Sequence, residues 1–597
     1  MRNAETVLGI IQERGRRGLP LEDIYRQLFN PRLYLRAYGR IARNKGAMTP
    51  GATTETADDM SLAKVEAIID ALRHERYRWT PVRRVYIEKK RSKKKRPLGI
   101  PSWSDKLLAE VIRSILEAYY EPQFQPTSHG FRPRRGCHTA LGEIYHKWVG
   151  TKWFIEGDVA ACFDSLDHSV MLAILKQKLQ DNRFLRLIAG LLQAGYLEDW
   201  RYHATLSGSP QGSVLSPILS NVYLDQLDRF VESTLLPAYN RGERRRLNPS
   251  FQRLQQASRA LRQQGNHQQA RRVRRQMQAV PSLDPTDPNY RRLRYIRYAD
   301  DMLLGFSGPR AEAEAIKQHL GVFLREHLKL TLSEEKTLIT HARSRAARFL
   351  GYEVTVLHSD TKLDRRGHRC INGQIGLKVP DDVVHAKCDG YLAQGKPRHR
   401  PALLNESPYR IVMQYQQEFR GLAEYYQLAF NLHRLNRLKW VMEQSLVKTL
   451  ACKLRTSVSS IYNRYQTTLQ TDEGPRRGLQ VCVERPKGKK PLIANWGGTP
   501  LKRRTKAILN DCPPTIWEGR SALEKRLLAQ TCELCGARDN IRVHHIRALK
   551  DLHVPGRAAK PAWMQVMAAR RRKTLVVCQT CHADIHAGRS QRPVATG

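Results

Sequence analysis

Two short apolar runs in this 597-residue chain carry carboxylates where a buried strand has no use for them: KWFIEGDV at 152–159 and LRYIRYADDMLLGFS at 293–307. Both are rich in β-branched and aromatic residues and read as strands. A charge buried in such a strand is costly unless it is paired or holds a cation. Asp158, Asp300 and Asp301 therefore demand a fold that brings strand ends together around something positive. Behind Pro309, residues Ile316, Leu320, Phe323, Leu324 and Leu328 recur at helical spacing. The order strand, turn, strand, helix predicts an α/β unit.

The flanks divide by pattern. Residues 1 to about 150 mix helical periodicity with a basic, Pro/Gly-terminated segment, EKKRSKKKRPLGIP at 88–101, which reads as a basic finger. Between the two acidic strands, Tyr239 to Arg292 looks like an insertion, with Arg271, Arg272, Arg274 and Arg275 in a helical pattern followed by the loop PSLDPTDP. From Ser407 to about Tyr465 the chain is amphipathic helix, with Ile411, Tyr415, Phe419 and Leu422 on one face, then Leu432, Leu435, Leu438, Met442 and Leu446. Thr471 to about Pro514 is rich in Pro, Gly, Lys and Arg without clear period and reads as a basic linker or loosely structured nucleic-acid-binding segment. The last residues form a Cys/His-rich module.

Charge narrows the partners. With 102 Lys and Arg against 56 Asp and Glu the formal charge is +46, spread along the whole length. Such an excess repels itself unless a polyanion lies against it, which points to nucleic acid. No stretch approaches the ~18 to 20 apolar residues of a membrane span, and the N-terminus lacks a signal-peptide pattern, so an intracellular protein without a membrane partner is expected. Eleven cysteines without regular spacing argue for thiols and metal rather than disulfides.

Two-metal phosphoryl transfer needs acidic ligands that hold divalent ions ~3.5 to 4 Å apart. A carboxylate pair on a tight turn beside a third on a neighbouring strand meets that need. In order along the chain stand RPLGIP at 96–101, HGFRPRRGCHTA at 129–140, DVAACFD at 158–164, GSPQGSVLSPILSN at 208–221, YADD at 298–301, LSEEKT at 332–337 and FLGYEV at 349–354. From about 60 to 355 this set resembles the fingers and palm of reverse transcriptases. The resemblance implies that Asp158, Asp300 and Asp301 are catalytic magnesium ligands and that Phe163 lies under the sugar and excludes a 2′-hydroxyl. It further implies that Arg96 and Lys90 bind the incoming triphosphate, and that Gln211 contacts nucleotide and template. Lys336 would be a proton donor to the pyrophosphate, although a lysine after two glutamates also reads as a surface ion pair. FLGYEV would grip the primer.

The segment ESPYRIVMQYQQEFRGLAEYYQLAFNLHRLNRLKW resembles the maturase region of group II intron proteins, which implies RNA contact by Arg420, Tyr425 and Tyr426; the two tyrosines read equally well as core packing. Cys532, Cys535, Cys578 and Cys581 form two Cys-x-x-Cys pairs, a strong pattern for one structural zinc. A zinc ribbon leaves the histidines of VHHIRAL and CHADIH idle. Together with the cysteines they resemble an HNH endonuclease, in which His545 would be the general base, His544 and His586 metal ligands, and His582 a ligand to metal or scissile phosphate. A magnesium ion would serve this site. The asparagine expected near Lys573 is missing from RRRKTLVVC.

The combined order resembles bacterial group II intron-encoded proteins. The fold class implied is multidomain α/β and α: right-hand-like fingers and palm over residues 1–380, with a basic insertion at about 233–292, a helical thumb and maturase domain over 381–470, a basic DNA-binding segment over 471–530, and a zinc-stabilised ββα HNH domain over 531–597. The implied activities are RNA-directed DNA synthesis, assistance to splicing of a host intron, and nicking of target DNA to prime copying. Partners would be the host intron RNA, target double-stranded DNA and deoxynucleoside triphosphates, in the cytoplasm or at the nucleoid, with a homodimer compatible. A retron-like reverse transcriptase would need neither the maturase helices nor the HNH module. A non-enzymatic splicing factor would not need intact polymerase carboxylates.

Overall fold

A computed structural model describes residues 2–44, 46–88, 95–199, 201–205, 207–208, 212–365, 369–485, 490–509, 522–552 and 561–589. Its centre is a four-stranded antiparallel sheet in the order Arg292–Tyr298, Asp301–Ser307, Trp153–Asp158, Ile339–His341. The helix Arg310–Leu328 packs its Ile316, Leu320, Leu324 and Leu328 stripe under this sheet, as the periodicity requires. Helix Ser216–Phe230 lies beside it.

The basic finger is a hairpin of Val82–Glu88 and Lys95–Ile100, extended by Tyr196–Glu198 and Arg201–His203. Arg84 lies over the Tyr196 ring at 3.3 Å from its centroid. The insertion is a pair of helices, Pro249–Gln263 and His267–Ala279. Its four clustered arginines fall on the second of these helices, in agreement with the sequence.

The helical unit comprises Asp381–Asp389, Pro408–Tyr425, Leu435–Leu454 and Val458–Tyr465. Ile411, Tyr415, Phe419, Leu432, Leu435, Leu438, Met442 and Leu446 are all buried in one core that continues into the back of the palm sheet. Beyond Tyr465 the structure departs from the expected basic linker. Gln466–Thr471, Gly474–Val483 and Leu492–Trp496 form an antiparallel sheet that packs on the helix Pro408–Tyr425. Its helix-facing side is Leu479, Val481, Ala494 and Trp496, all buried, while Leu469 is buried on the other face beside Gly478. Trp496 packs against Phe419 and donates its indole N–H to Glu443 Oε2 at 3.0 Å. The period-2 pattern is real but sparse, because the strands are short, Arg476 and Gln480 occupy the face opposite Leu479 and Val481, and Arg477 interrupts their own face. Residues 510–521 of the expected segment lie outside the described residues.

The C-terminal module is an antiparallel pair, Ile541–His545 and Thr574–Cys578, with helix Gln579–His586 behind it. A third strand comes from far away: Met60 and Ser61 pair with Val543 and Arg542. The module's apolar residues are continuous with a core that includes the N-terminal helices Ala4–Arg16 and Pro31–Ile41. Among the described residues no helix is long and apolar enough to cross a membrane.

Candidate polymerase and nuclease centres

Asp158 ends one central strand and stands opposite Asp301, which begins the next, while Asp300 occupies the turn between Tyr298 and Asp301. The sheet register therefore brings the three carboxylates to one edge. Partial desolvation, then the charges of Asp300 and Asp158, push the Asp301 carboxyl up to about 6, although the residue keeps exposed surface. Burial and the neighbouring Asp158 also raise Asp300, and Arg96 and Lys336 oppose that rise. This mutual repulsion is what a divalent cation relieves, so the three residues fit a magnesium site. Lys336 Nζ lies 2.7 Å from Asp158 Oδ2 and supplies a positive charge to the cluster.

The turn is held from behind. Ala299 sits at φ 57°, a conformation that favours glycine, and its carbonyl accepts 2.8 Å from Arg297 Nη1. The same guanidinium makes a two-nitrogen pair with Asp228 at 2.8 and 2.5 Å and reaches Asn221 Oδ1 at 3.1 Å. Asn221 in turn donates to the Gly130 carbonyl at 2.9 Å. A side chain at Gly130 would meet the Ala299 nitrogen at 2.2 Å, which explains the glycine in HGFRP. Sequence reasoning missed Arg297 and Asp228, since a basic residue in an alternating strand reads as solvent-facing.

Phe163 lies on the short helix Cys162–Ser165 that follows Asp158, half-buried and edge-on to Phe131. Arg96 is exposed on the finger hairpin, with its charge felt at Asp300. Lys90 and Gln211 lie outside the described residues. Gly212, next to Gln211, packs so closely on the finger that an added Cβ would meet the Gly99 carbonyl oxygen at 2.6 Å.

Tyr425 and Tyr426 resolve towards packing. Tyr425 donates its hydroxyl to the Leu350 carbonyl at 2.7 Å and Tyr426 to the Gly351 carbonyl at 3.0 Å. Those carbonyls form the turn of FLGYEV, with φ 47° at Leu350 and 72° at Gly351. Of the two readings the sequence leaves open for these tyrosines, RNA contact and packing, the hydrogen bonds show the second: they tie the helical unit to that turn, and Tyr426 is buried. Arg420 is exposed and pairs with Glu424 at 2.6 Å.

In the C-terminal module the sulfurs of Cys532, Cys535, Cys578 and Cys581 lie within 4.8 Å of one another, with Cys535 and Cys578 at 3.6 Å. Tetrahedral zinc thiolates stand about 3.8 Å apart, from Zn–S bonds of ~2.3 Å. The backbone N–H groups of Cys535 and Cys581 point at the sulfurs of Cys532 and Cys578. The four thiols fit one zinc ion.

His544, His582 and His586 converge on a second cluster, joined by Asp58, with the four ligand atoms within 4.8 Å. His544 is buried, its Nε2 has no hydrogen bond and its Nδ1 meets only the Asp58 carboxylate, at 3.4 Å, as suits a residue built to ligate metal. Burial alone would raise the Asp58 carboxyl, but the facing His544 and His582 imidazoles bring it well below the usual carboxylate range. His545 points to the other face of its strand, as strand alternation demands. Its Nε2 is hydrogen-bonded to the Tyr38 hydroxyl at 2.6 Å, and burial pushes the imidazole down to about 4. It stands apart from the cluster that the other three histidines form. Near the missing asparagine, the Lys573 carbonyl accepts 3.0 Å from the Ile546 N–H and closes the loop after the histidine pair.

The comparisons with known proteins agree with this geometry. The profile described as reverse transcriptase (RNA-dependent DNA polymerase) matches residues 87–354. That of the type II intron maturase matches 381–475, and that of the AI2M/AI1M-like HNH endonuclease matches 532–582. The chain is 38% identical over 583 residues to the group II intron-encoded protein LtrA of Lactococcus lactis subsp. cremoris, covering 94% of this chain and 95% of that protein. It is 30% identical over 584 residues to the putative COX1/OXI3 intron 1 protein of Saccharomyces cerevisiae, covering 93% and 68% of the two chains. Protein YkfC of Escherichia coli is 30% identical over 344 residues, 56% of this chain and 84% of its own.

Proposed function

Since the chain belongs to the group II intron-encoded proteins, we propose how its reverse transcriptase, maturase and HNH endonuclease domains divide the labour among named residues. Asp158, Asp300 and Asp301 would hold the magnesium ions that activate a primer 3′-hydroxyl and neutralise the triphosphate. Arg96, with Lys90, binds the triphosphate from the finger, where a guanidinium makes two-point contacts to phosphate. Phe163 tests the sugar, and Gln211 the base and template. Lys336 moves between the Asp158 carboxylate and the leaving pyrophosphate, to which it can give a proton. The observation that carries this reading is the register that sets Asp158 opposite Asp301 with Asp300 at the turn.

The helical unit and the sheet packed on it contact the host intron RNA through exposed basic side chains such as Arg420, not through Tyr425 and Tyr426. Residues 1–380 form fingers and palm, 381 to about 500 the thumb and maturase unit, and 531–597 the nuclease, stabilised by zinc on the four cysteines. In that nuclease His544, His582 and His586 would hold a divalent ion, and His545 would take the proton from water once freed from Tyr38. The protein works on intron RNA, target DNA and deoxynucleoside triphosphates, in the bacterial cytoplasm and on the nucleoid. Primer extension on an RNA template with the Asp300→Ala, Asp301→Ala double variant tests the division: DNA synthesis stops while splicing assistance persists. Joint loss of both in a folded variant refutes it.

A further inference from the structure

The three nuclease histidines do not stand alone. Asp58 lies in the loop before the strand Met60–Ser61, more than 480 residues away in the chain, and its carboxylate faces all three. Oδ1 is 3.4 Å from His544 Nδ1 and 3.2 Å from His582 Nε2, and Oδ2 is 2.8 Å from His586 Nε2. Neighbouring contacts fix the approach. The Asp59 N–H donates to the Val543 carbonyl at 3.1 Å, Arg542 pairs with the Asp59 carboxylate at 2.6 Å, and the His545 N–H donates to Asp58 Oδ1 at 2.8 Å. On the opposite face of the same strand, Tyr38 from the helix Pro31–Ile41 covers His545, which is 5% exposed.

A four-coordinate hydrolytic centre keeps one position for water or substrate and four protein ligands close it, while a six-coordinate ion such as magnesium loses one of its water positions to each added protein ligand. Three imidazoles and one carboxylate make four. Resting on the nuclease reading of His544, His582 and His586, we propose that Asp58 is a fourth protein ligand of the HNH metal. With Tyr38 over His545, it holds the docked nuclease closed until the module leaves the N-terminal helices. Undocking removes both constraints together, because Asp58 and Tyr38 belong to the same N-terminal body. By linkage, metal binding and docking strengthen one another. Cutting is thereby made dependent on a rearrangement of the polymerase end of the molecule, so that a nick is made where a polymerase is placed to use it.

The test uses the full-length chain with zinc on the cysteines and Co²⁺ as probe of the histidine cluster. Wild type should give the intense visible absorption of four-coordinate Co²⁺. Asp58→Ala and Asp58→Asn should weaken Co²⁺ binding about tenfold or more and turn the spectrum into the weak bands of higher coordination. Both should nick target DNA several-fold faster as ribonucleoproteins, and adding Tyr38→Phe should raise the rate further. Primer extension, unchanged, reports that these variants fold. His544→Ala distinguishes the role of Asp58 from that of the histidine cluster itself. If it abolishes Co²⁺ binding and nicking while Asp58→Asn alters neither, Asp58 is no ligand and the proposal is overturned. Nicking that falls in both Asp58 variants also overturns it. If His544→Ala leaves Co²⁺ binding and nicking intact, the nuclease reading itself fails.

Discussion

Arg297 and Asp228 form a two-nitrogen ion pair at 2.8 and 2.5 Å with neither side chain exposed, and the same guanidinium holds the Ala299 carbonyl in the turn that carries Asp300 and Asp301. Removing one partner of such a pair leaves an uncompensated buried charge, at a cost of about 3 to 5 kcal/mol. Asp228→Ala should lower unfolding stability by roughly that amount and suppress primer extension, although Asp228 touches no reacting atom. Denaturant unfolding and single-turnover extension on one sample check this. Full activity with the turn unsupported would mean that the turn holds itself.

Asp158→Ala, or the Asp300→Ala, Asp301→Ala pair, should abolish DNA synthesis and spare binding of intron RNA. Filter binding and primer extension separate the two. The Phe163→Ala variant should accept ribonucleotides more readily, read as the ratio of kcat/KM for deoxy and ribo substrates, because the ring lies beside the catalytic strand on the helix after Asp158.

The pH dependence follows from Asp301, whose carboxyl is pushed up to about 6 by desolvation and by Asp300 and Asp158. A folded-state value above the ordinary ~4 means that the folded chain binds the extra proton across that window. The metal-free protein should therefore lose stability as pH rises from about 4 to about 6. Magnesium needs the carboxylate, so its affinity should climb over the same range and level off above it. Mn²⁺ titrations followed by magnetic resonance at several pH values measure this, and an affinity flat across the window contradicts it.

Removing zinc with a thiol-competing chelator, or the Cys535→Ser change, should unfold the C-terminal module and end nicking while leaving primer extension. Structural zinc is folding energy for so small a unit. Limited proteolysis should then cut within residues 531–589, and His545→Ala should also stop nicking without that proteolytic change.

The palm strands, the helix behind Pro309, the maturase helices and the cysteine knuckles were legible because each is a local pattern: a period, a spacing, a turn. Asp158, Asp300 and Asp301 were legible because charge in an apolar strand calls for an explanation. Arg297 and Asp228 were not, since their burial is settled only when strand and helix meet. Asp58 and Tyr38 were invisible for the same reason at longer range: Thr56 to Asp59 reads as an ordinary loop until the C-terminal strand Ile541–His545 pairs beside it. The sheet over Gln466–Trp496 was hidden because Arg476 and Arg477 interrupt its alternation. Tyr425 and Tyr426 were ambiguous because an aromatic residue serves stacking on RNA and packing on a turn equally well.

On the proposed function, one chain both serves its own intron RNA and copies it. The most direct test is to sequence the RNA that co-purifies with the protein from its native host, then splice that RNA at low magnesium with and without protein. Enrichment of a single structured intron whose splicing depends on the protein is the expected result. Recovery of no intron, with DNA synthesis still active on generic primed templates, would contradict the account and leave a free-standing reverse transcriptase.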